Sequence, residues 1–141
     1  MSKQTGQLTK HFNLSEFACH DGTGYIEGLR REQGLSKWRA NRRARGLARR
    51  LERVRKDLGN KPLHLNSVFR TISYNASIGG AKNSAHTRGC AADMRPPEGV
   101  SLIELRSSVR KHFDGGVGYY PASNFVHGDF DRQLGRREWY G

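Results

Sequence analysis

His86, Asp93, His127 and Asp129 are the residues of this chain whose types and spacing could do chemistry. Two imidazole nitrogens and one carboxylate oxygen are what a catalytic zinc ion takes from a protein, with a fourth position left for water. Water held in that way gives up its proton near neutral pH, and a nearby carboxylate can accept it. The set therefore reads as a metal site for hydrolytic chemistry, with His86, Asp93 and His127 as metal ligands and Asp129 as a spare carboxylate close by. A His-x6-Asp spacing recurs by chance, so the reading depends on the elements that carry these residues.

Ala91 to Arg95 reads as a short strand stopped by Pro96-Pro97. Period two then turns Ala91, Asp93 and Arg95 one way and Ala92 and Met94 the other. Gly89 lets the chain reverse between His86 and that strand. Val117 to Tyr120 and Asn124 to Phe130 read as two strands joined by a turn at Pro121, which puts Phe125, His127 and Asp129 on one face. Leu63 to Val68 alternates and is a further strand, and Arg136 to Tyr140 supplies a last one. Trp139 and Tyr120 are then candidates to line a cleft.

Leu47, Leu51, Val54 and Leu58 recur at helical spacing inside a basic run over residues 30–56, and predict an amphipathic helix of about 15 to 20 residues ended by Gly59-Asn60 and Pro62. Ser101-Leu102-Ile103-Glu104 is a capping box that opens a second helix with Leu102, Leu105 and Val109 as its inner stripe. Asn13 or Ser15 caps a helical turn that turns Phe12, Leu14 and Phe17 inward, and Ser73 to Gly80 holds another short turn. Short strands, one hairpin and flanking helices predict an α+β domain with a small antiparallel sheet and the zinc site on it. Residues 1–10 are polar and are expected to be flexible, with residues 11–141 forming one domain.

The 141 residues carry a net charge of +12 and mean hydropathy of −0.80. The core is modest, so a metal could contribute to its stability. The charge implies a polyanionic partner, whether nucleic acid, anionic lipid or anionic cell-wall polymer, and the arginine face of the long helix is the surface to meet it, with wall polymer ahead of nucleic acid. No apolar run is long enough to span a membrane, and no secretory signal follows Met1. Cys19 and Cys90 form no CxxC and are expected to be buried free thiols. His11, His20, His64 and His112 have no chemical companions and read as structural or exposed.

Several stretches together carry a resemblance over nearly the whole chain. They are His11-Phe-Asn-Leu-Ser-Glu-Phe-Ala-Cys-His-Asp-Gly22, Lys61-Pro-Leu-His-Leu-Asn-Ser67, Phe69-Arg-Thr71, Ser84-Ala-His86, Gly89-Cys-Ala-Ala-Asp93, Gly115-Gly-Val-Gly-Tyr-Tyr-Pro121 and Phe125-Val-His-Gly-Asp129. The chain resembles the superfamily of zinc D-alanyl-D-alanine carboxypeptidases and L-alanyl-D-glutamate endopeptidases, and within it the short phage-type members. The resemblance implies Zn²⁺ held by His86, Asp93 and His127. It implies that Arg70 steadies the scissile carbonyl and that Ser84 lies near the substrate. It also implies peptidoglycan stem peptides as substrate, cut by a phage endolysin or a virion-borne enzyme that waits in the host cytoplasm or on the particle and acts at the wall. The family pattern places an acidic general base three residues before the last histidine ligand. Here that position is Asn124, which leaves Asp129 as the nearest carboxylate. An inactive relative that binds the wall, and a virion structural protein that uses its arginines on nucleic acid, are the rival readings.

Overall fold

The computed structural model describes residues 6–141. Its centre is a sheet of five strands in the order β1-β2-β4-β3-β5, where β1 is His64–Ser67, β2 Ala91–Arg95, β3 Gly116–Tyr120, β4 Phe125–Asp129 and β5 Arg137–Tyr140. All neighbours are antiparallel except β3 and β5, which run parallel. The α+β class and the sheet with flanking helices are as expected. The parallel edge arises because β4 serves as the return crossing between β3 and β5.

One sheet face is packed by helices. Met94 and Val126 point into the same core as Leu105, Val109 and Phe113 of α4 (Leu102–His112) and its flank. Gly128 keeps this face flat: a Cβ there would sit 2.7 Å from Val109 and 3.0 Å from Phe113. Ser101 caps α4 by accepting from the N–H of Glu104 at 3.1 Å.

The basic run divides into two helices. α1 (Tyr25–Gln33) ends at Gly34, whose φ of 67° closes the cap, and α2 (Lys37–Asp57) begins at the Ser36 cap. α2 falls where the apolar spacing predicts a helix and extends to 21 residues, whereas α1 was not expected: its inner residues Tyr25, Ile26 and Leu29 span barely one turn. α2 buries Ala40, Ala44, Leu47, Ala48, Leu51 and Val54. Ala40, Ala44 and Ala48, four apart in one row, let it lie close on its neighbours while its arginines occupy its other faces.

Residues 6–10 depart from the expectation of a flexible start. Gln7 bridges Asn13, and the N–H groups of Leu8 and Thr9 bond to Phe12 O at 3.0 and 3.2 Å. Asn13 and Glu16 cap the turn Leu14–Phe17 reciprocally, which anchors this segment over Phe12 and Phe17. The rest of the expected flexible stretch, residues 1–5, lies outside the described residues. Cys19 and Cys90 are both free and buried. His11 pairs with Glu52 and His112 with Asp57, each at 2.8 Å, so these histidines are structural.

Candidate metal centre

The open sheet face carries two rows of side chains that cross the strands. Ser67, Asp93, His127, Gly118 and Trp139 are successive partners across all five strands. One step along, Ala91 pairs with Asp129 and Gly116 pairs with Arg137, while the N–H of Gly116 donates to Asp129 Oδ1 at 2.8 Å. The glycines are gaps in these rows. A Cβ on Gly118 would lie 2.6 Å from the Trp139 ring, and one on Gly116 would lie 2.5 Å from Asp129 Oδ2. Without those side chains, Trp139 leans over β3 to within 5.1 Å of the His127 ring, and Arg137 reaches Asp129.

His86 arrives from off the sheet. It sits in the tight turn Ala85–Arg88, started by Ser84, whose Oγ accepts from His86 N at 3.2 Å, and stopped by Gly89 at φ 72°. Tyr25 fastens that stop by donating its hydroxyl to Gly89 O at 2.6 Å. Ser84, expected near the substrate, is therefore a buried cap on the turn that carries a ligand.

The three expected ligands are brought together. His86, Asp93 and His127 are all buried, and one ligating atom from each lies within 4.8 Å of the others. Asp93 Oδ1 is 3.2 Å from His86 Nε2 and 3.0 Å from His127 Nδ1. The far nitrogen of each ring is committed elsewhere. His86 Nδ1 lies 2.6 Å from Val68 O, which can only accept, so Nδ1 carries the hydrogen and Nε2 offers its lone pair inward. His127 Nε2 lies 2.6 Å from Asp129 Oδ2 and has the same reason to carry hydrogen, which frees Nδ1. Three electron-pair donors then converge with no hydrogen among them, and a cation satisfies all three.

Electrostatics point the same way. With protons on the facing nitrogens in place of a cation, burial acts to raise the Asp93 pKa, but the His86 charge and hydrogen bonds from both histidines outweigh it and hold the carboxyl well below its usual range. Burial lowers the pKa of His127, yet its bonds to Asp129 and Asp93 prevail and the net shift is upward. Both shifts describe a pocket short of one positive charge, which a proton or a metal ion can supply.

Arg70 follows β1 and is the clamp on Asp93. It donates from Nη2 to Asp93 Oδ2 at 3.1 Å, from Nε to Ser67 Oγ at 3.0 Å and from Nη1 to Asn75 Oδ1 at 3.2 Å. This holds Oδ2 aside and turns Oδ1 toward the histidines. Asp129, the expected base, is held by partners on several sides. It is fully enclosed, and its Oδ1 accepts from Gly116 N and Asp131 N at 2.8 and 3.1 Å. Arg137 donates to its Oδ1 and Oδ2 at 3.3 and 2.8 Å. Burial raises the pKa of this carboxyl, but His127 and the Gly116 amide lower it further, so it stays ionised and weakly basic. Asn124 is exposed and left-handed at φ 55°, a conformation that asparagine tolerates better than most side chains.

The Trp139 ring lies beside His127, centroid to centroid 5.1 Å. Its Nε1 donates to Tyr120 Oη at 2.7 Å, and Tyr120 stacks on Phe125 at 4.3 Å. Arg137, Gly116 and Gly118 lie in stretches named from the sequence but have no site role there. The alternation Gly116-Val-Gly118 on a strand is the signal that could have shown close packing on the ligand face.

A family model described as Peptidase M15 matches residues 10–129. The peptidoglycan L,D-endopeptidase MepK of Escherichia coli is 40% identical over 120 residues, which are 77% of this chain and 65% of that protein. A probable peptidoglycan L,D-endopeptidase MepK of Haemophilus influenzae is 46% identical over 77 residues, 51% of this chain and 41% of its own. The zinc D-Ala-D-Ala carboxypeptidase of Streptomyces albus G is 40% identical over 62 residues, 44% of this chain and 24% of its own. The chain thus spans 65% of the length of the first of these relatives. The matched stretch contains His86, Asp93, His127 and Asp129, and Arg137 and Trp139 lie beyond it.

Proposed function

Because the chain belongs to the Peptidase M15 family, we propose that it is a zinc peptidase that hydrolyses an amide bond in peptidoglycan stem peptides. The observation that carries this is the convergence of His86 Nε2, Asp93 Oδ1 and His127 Nδ1 on one buried point. An L,D-endopeptidase is favoured over a carboxypeptidase, since the relative so named is matched over far more of this chain.

Zinc bound there supplies a Lewis acid that acidifies water and polarises a carbonyl. The chain's own residues set the geometry. Val68 O and Asp129 fix the two histidine rings, each through the nitrogen turned away from the site. Arg70 uses three of its five N–H groups on the protein, and the other two serve the oxyanion of the substrate. Trp139, Tyr120 and Phe125 form an aromatic wall that shields the reacting bond and packs against the substrate chain. Asp129 orients His127 and leaves proton acceptance to a group of the bound substrate or to solvent.

The setting proposed is that of a phage endolysin or virion-borne wall enzyme, on the resemblance to short phage-type members. Among the described residues, no helix is long and apolar enough to cross a membrane. Digestion of purified peptidoglycan by the zinc-loaded protein, with mass analysis of the fragments, tests the reaction. Release of stem fragments with a new amino terminus is expected. Intact stems after prolonged digestion would overturn it.

A further inference from the structure

A groove of about 690 Å³ runs between α2 and the loop that follows β4. Arg39, Arg42, Arg43, Arg50, Arg88 and Arg132 line it, against the two carboxylates of Asp114 and Asp131. Asp131 is taken, since Arg88 donates to its Oδ2. Asp114 is 84% exposed and reaches Arg50 only at 3.9 Å, beyond hydrogen-bond range.

Arg50 is the centre of the groove. Its guanidinium lies 4.0 Å over the Phe130 ring and is three-quarters shielded from solvent. Nη1 donates back to Gly46 O at 3.1 Å. A Cβ on Gly46 would stand 3.4 Å from Nη1, an ordinary contact, and would meet nothing else within 4 Å, so packing does not require glycine at this mid-helix position, where it is a poor helix former. Burial, against the pull of Asp114, and then the charges of Arg53 and Arg132 lower the Arg50 pKa, so an arriving anion would be favoured there.

Arg39, Arg43, Gly46 and Arg50 follow one another on one face of α2, with roots about 6 Å apart per four residues and about 16 Å from first to last. That length suits a chain bearing several anions better than a single ion. Guanidinium forks match carboxylates in pairs. Trp38 is the one exposed aromatic ring at the rim, and Arg42 already lies over it at 5.4 Å, so no row of rings awaits stacked bases.

We propose that this groove is an exosite for the free carboxylates of uncut stem peptides in the peptidoglycan polymer, separate from the metal centre. The proposal rests on the reaction assigned above for its choice of polymer. It predicts that the arginines matter for the insoluble polymer and not for a short soluble substrate.

The test uses the full chain, zinc-loaded, and sacculi freed of protein and of phosphodiester polymers. Arg39→Gln, Arg42→Gln and Arg132→Gln, all at exposed positions, are combined in one variant. Its binding to sacculi should fall about tenfold, as loss of three surface ion pairs allows. Amidation of the wall carboxylates should weaken the wild type equally. Cleavage of a soluble stem peptide should keep its kcat/KM. Unchanged sacculus binding in the triple variant would overturn the exosite. So would equal losses on soluble peptide and polymer, binding that vanishes once phosphodiester polymers are stripped, or tighter binding to DNA than to sacculi. A wild type that binds sacculi through these arginines and cuts no stem peptide would uphold the groove and overturn the reaction.

Discussion

His127 Nε2 lies 2.6 Å from Asp129 Oδ2, two residues along the same strand, and Arg137 grips that carboxylate from the neighbouring edge. A bond from a ring nitrogen to a buried, clamped carboxylate fixes both the tautomer and the orientation of the imidazole. Asp129→Asn and Arg137→Gln are therefore expected to weaken zinc affinity by about 10- to 100-fold, the usual effect of losing such a partner. Titration against a competing chelator measures it. Activity should return largely at saturating zinc. Retained affinity with turnover lowered at every zinc concentration would restore Asp129 to the role of base.

The purified chain is expected to hold one zinc, and His86→Ala or His127→Ala to hold none, by metal analysis. Protons compete for the same place. The pKa of His127 is raised, so its proton is retained to higher pH than in a free histidine, and zinc affinity should fall as pH drops through that raised value. Affinity that is flat across the range would contradict the arrangement.

Arg70→Ala should lower kcat by about 10²- to 10³-fold if its free N–H groups meet the oxyanion. Zinc content is the second readout, because Arg70 also holds Asp93 Oδ2. Loss of zinc with normal turnover at saturating metal would reduce Arg70 to a clamp.

Gly118→Ala places a Cβ 2.6 Å from Trp139, whose ring must then leave His127. A raised KM and a changed tryptophan emission are expected, with stability lower by about 1–3 kcal/mol from overpacking. Unchanged KM would remove the aromatic wall from substrate binding.

Burial pushes the Cys90 thiol up to about 12 and raises the Tyr25 hydroxyl above its ordinary value. Both are neutral in the fold, while the unfolded chain ionises them from about pH 9 upward. The sign follows: the unfolded state loses protons first, so stability falls as pH rises through that window, by about 1.4 kcal/mol per unit for each group. Thermal melts between pH 8 and 11 should show the decline, and Tyr25→Phe should make it shallower.

The clustering of His86, Asp93 and His127 was legible because strand alternation and family resemblance act on the same residues. β2 falls at residues 91–95 as its alternation and the following prolines demand. α1 was not legible: its inner residues occupy too few turns to show a period, and the arginines that follow it blend into α2. Arg137 was hidden for another reason. Its meaning depends on β5 lying beside β3 in parallel, and nothing local in Arg136-Arg137-Glu138 states which strand it will join. The role of Asp129 turned on the same unseen neighbour.

Arg137 and Trp139 both stand on β5, the last strand among the described residues, and each reaches back across β3 to β4. The edge strand is a latch on the centre: one residue pins the carboxylate behind His127, and the next but one lies beside the ring itself.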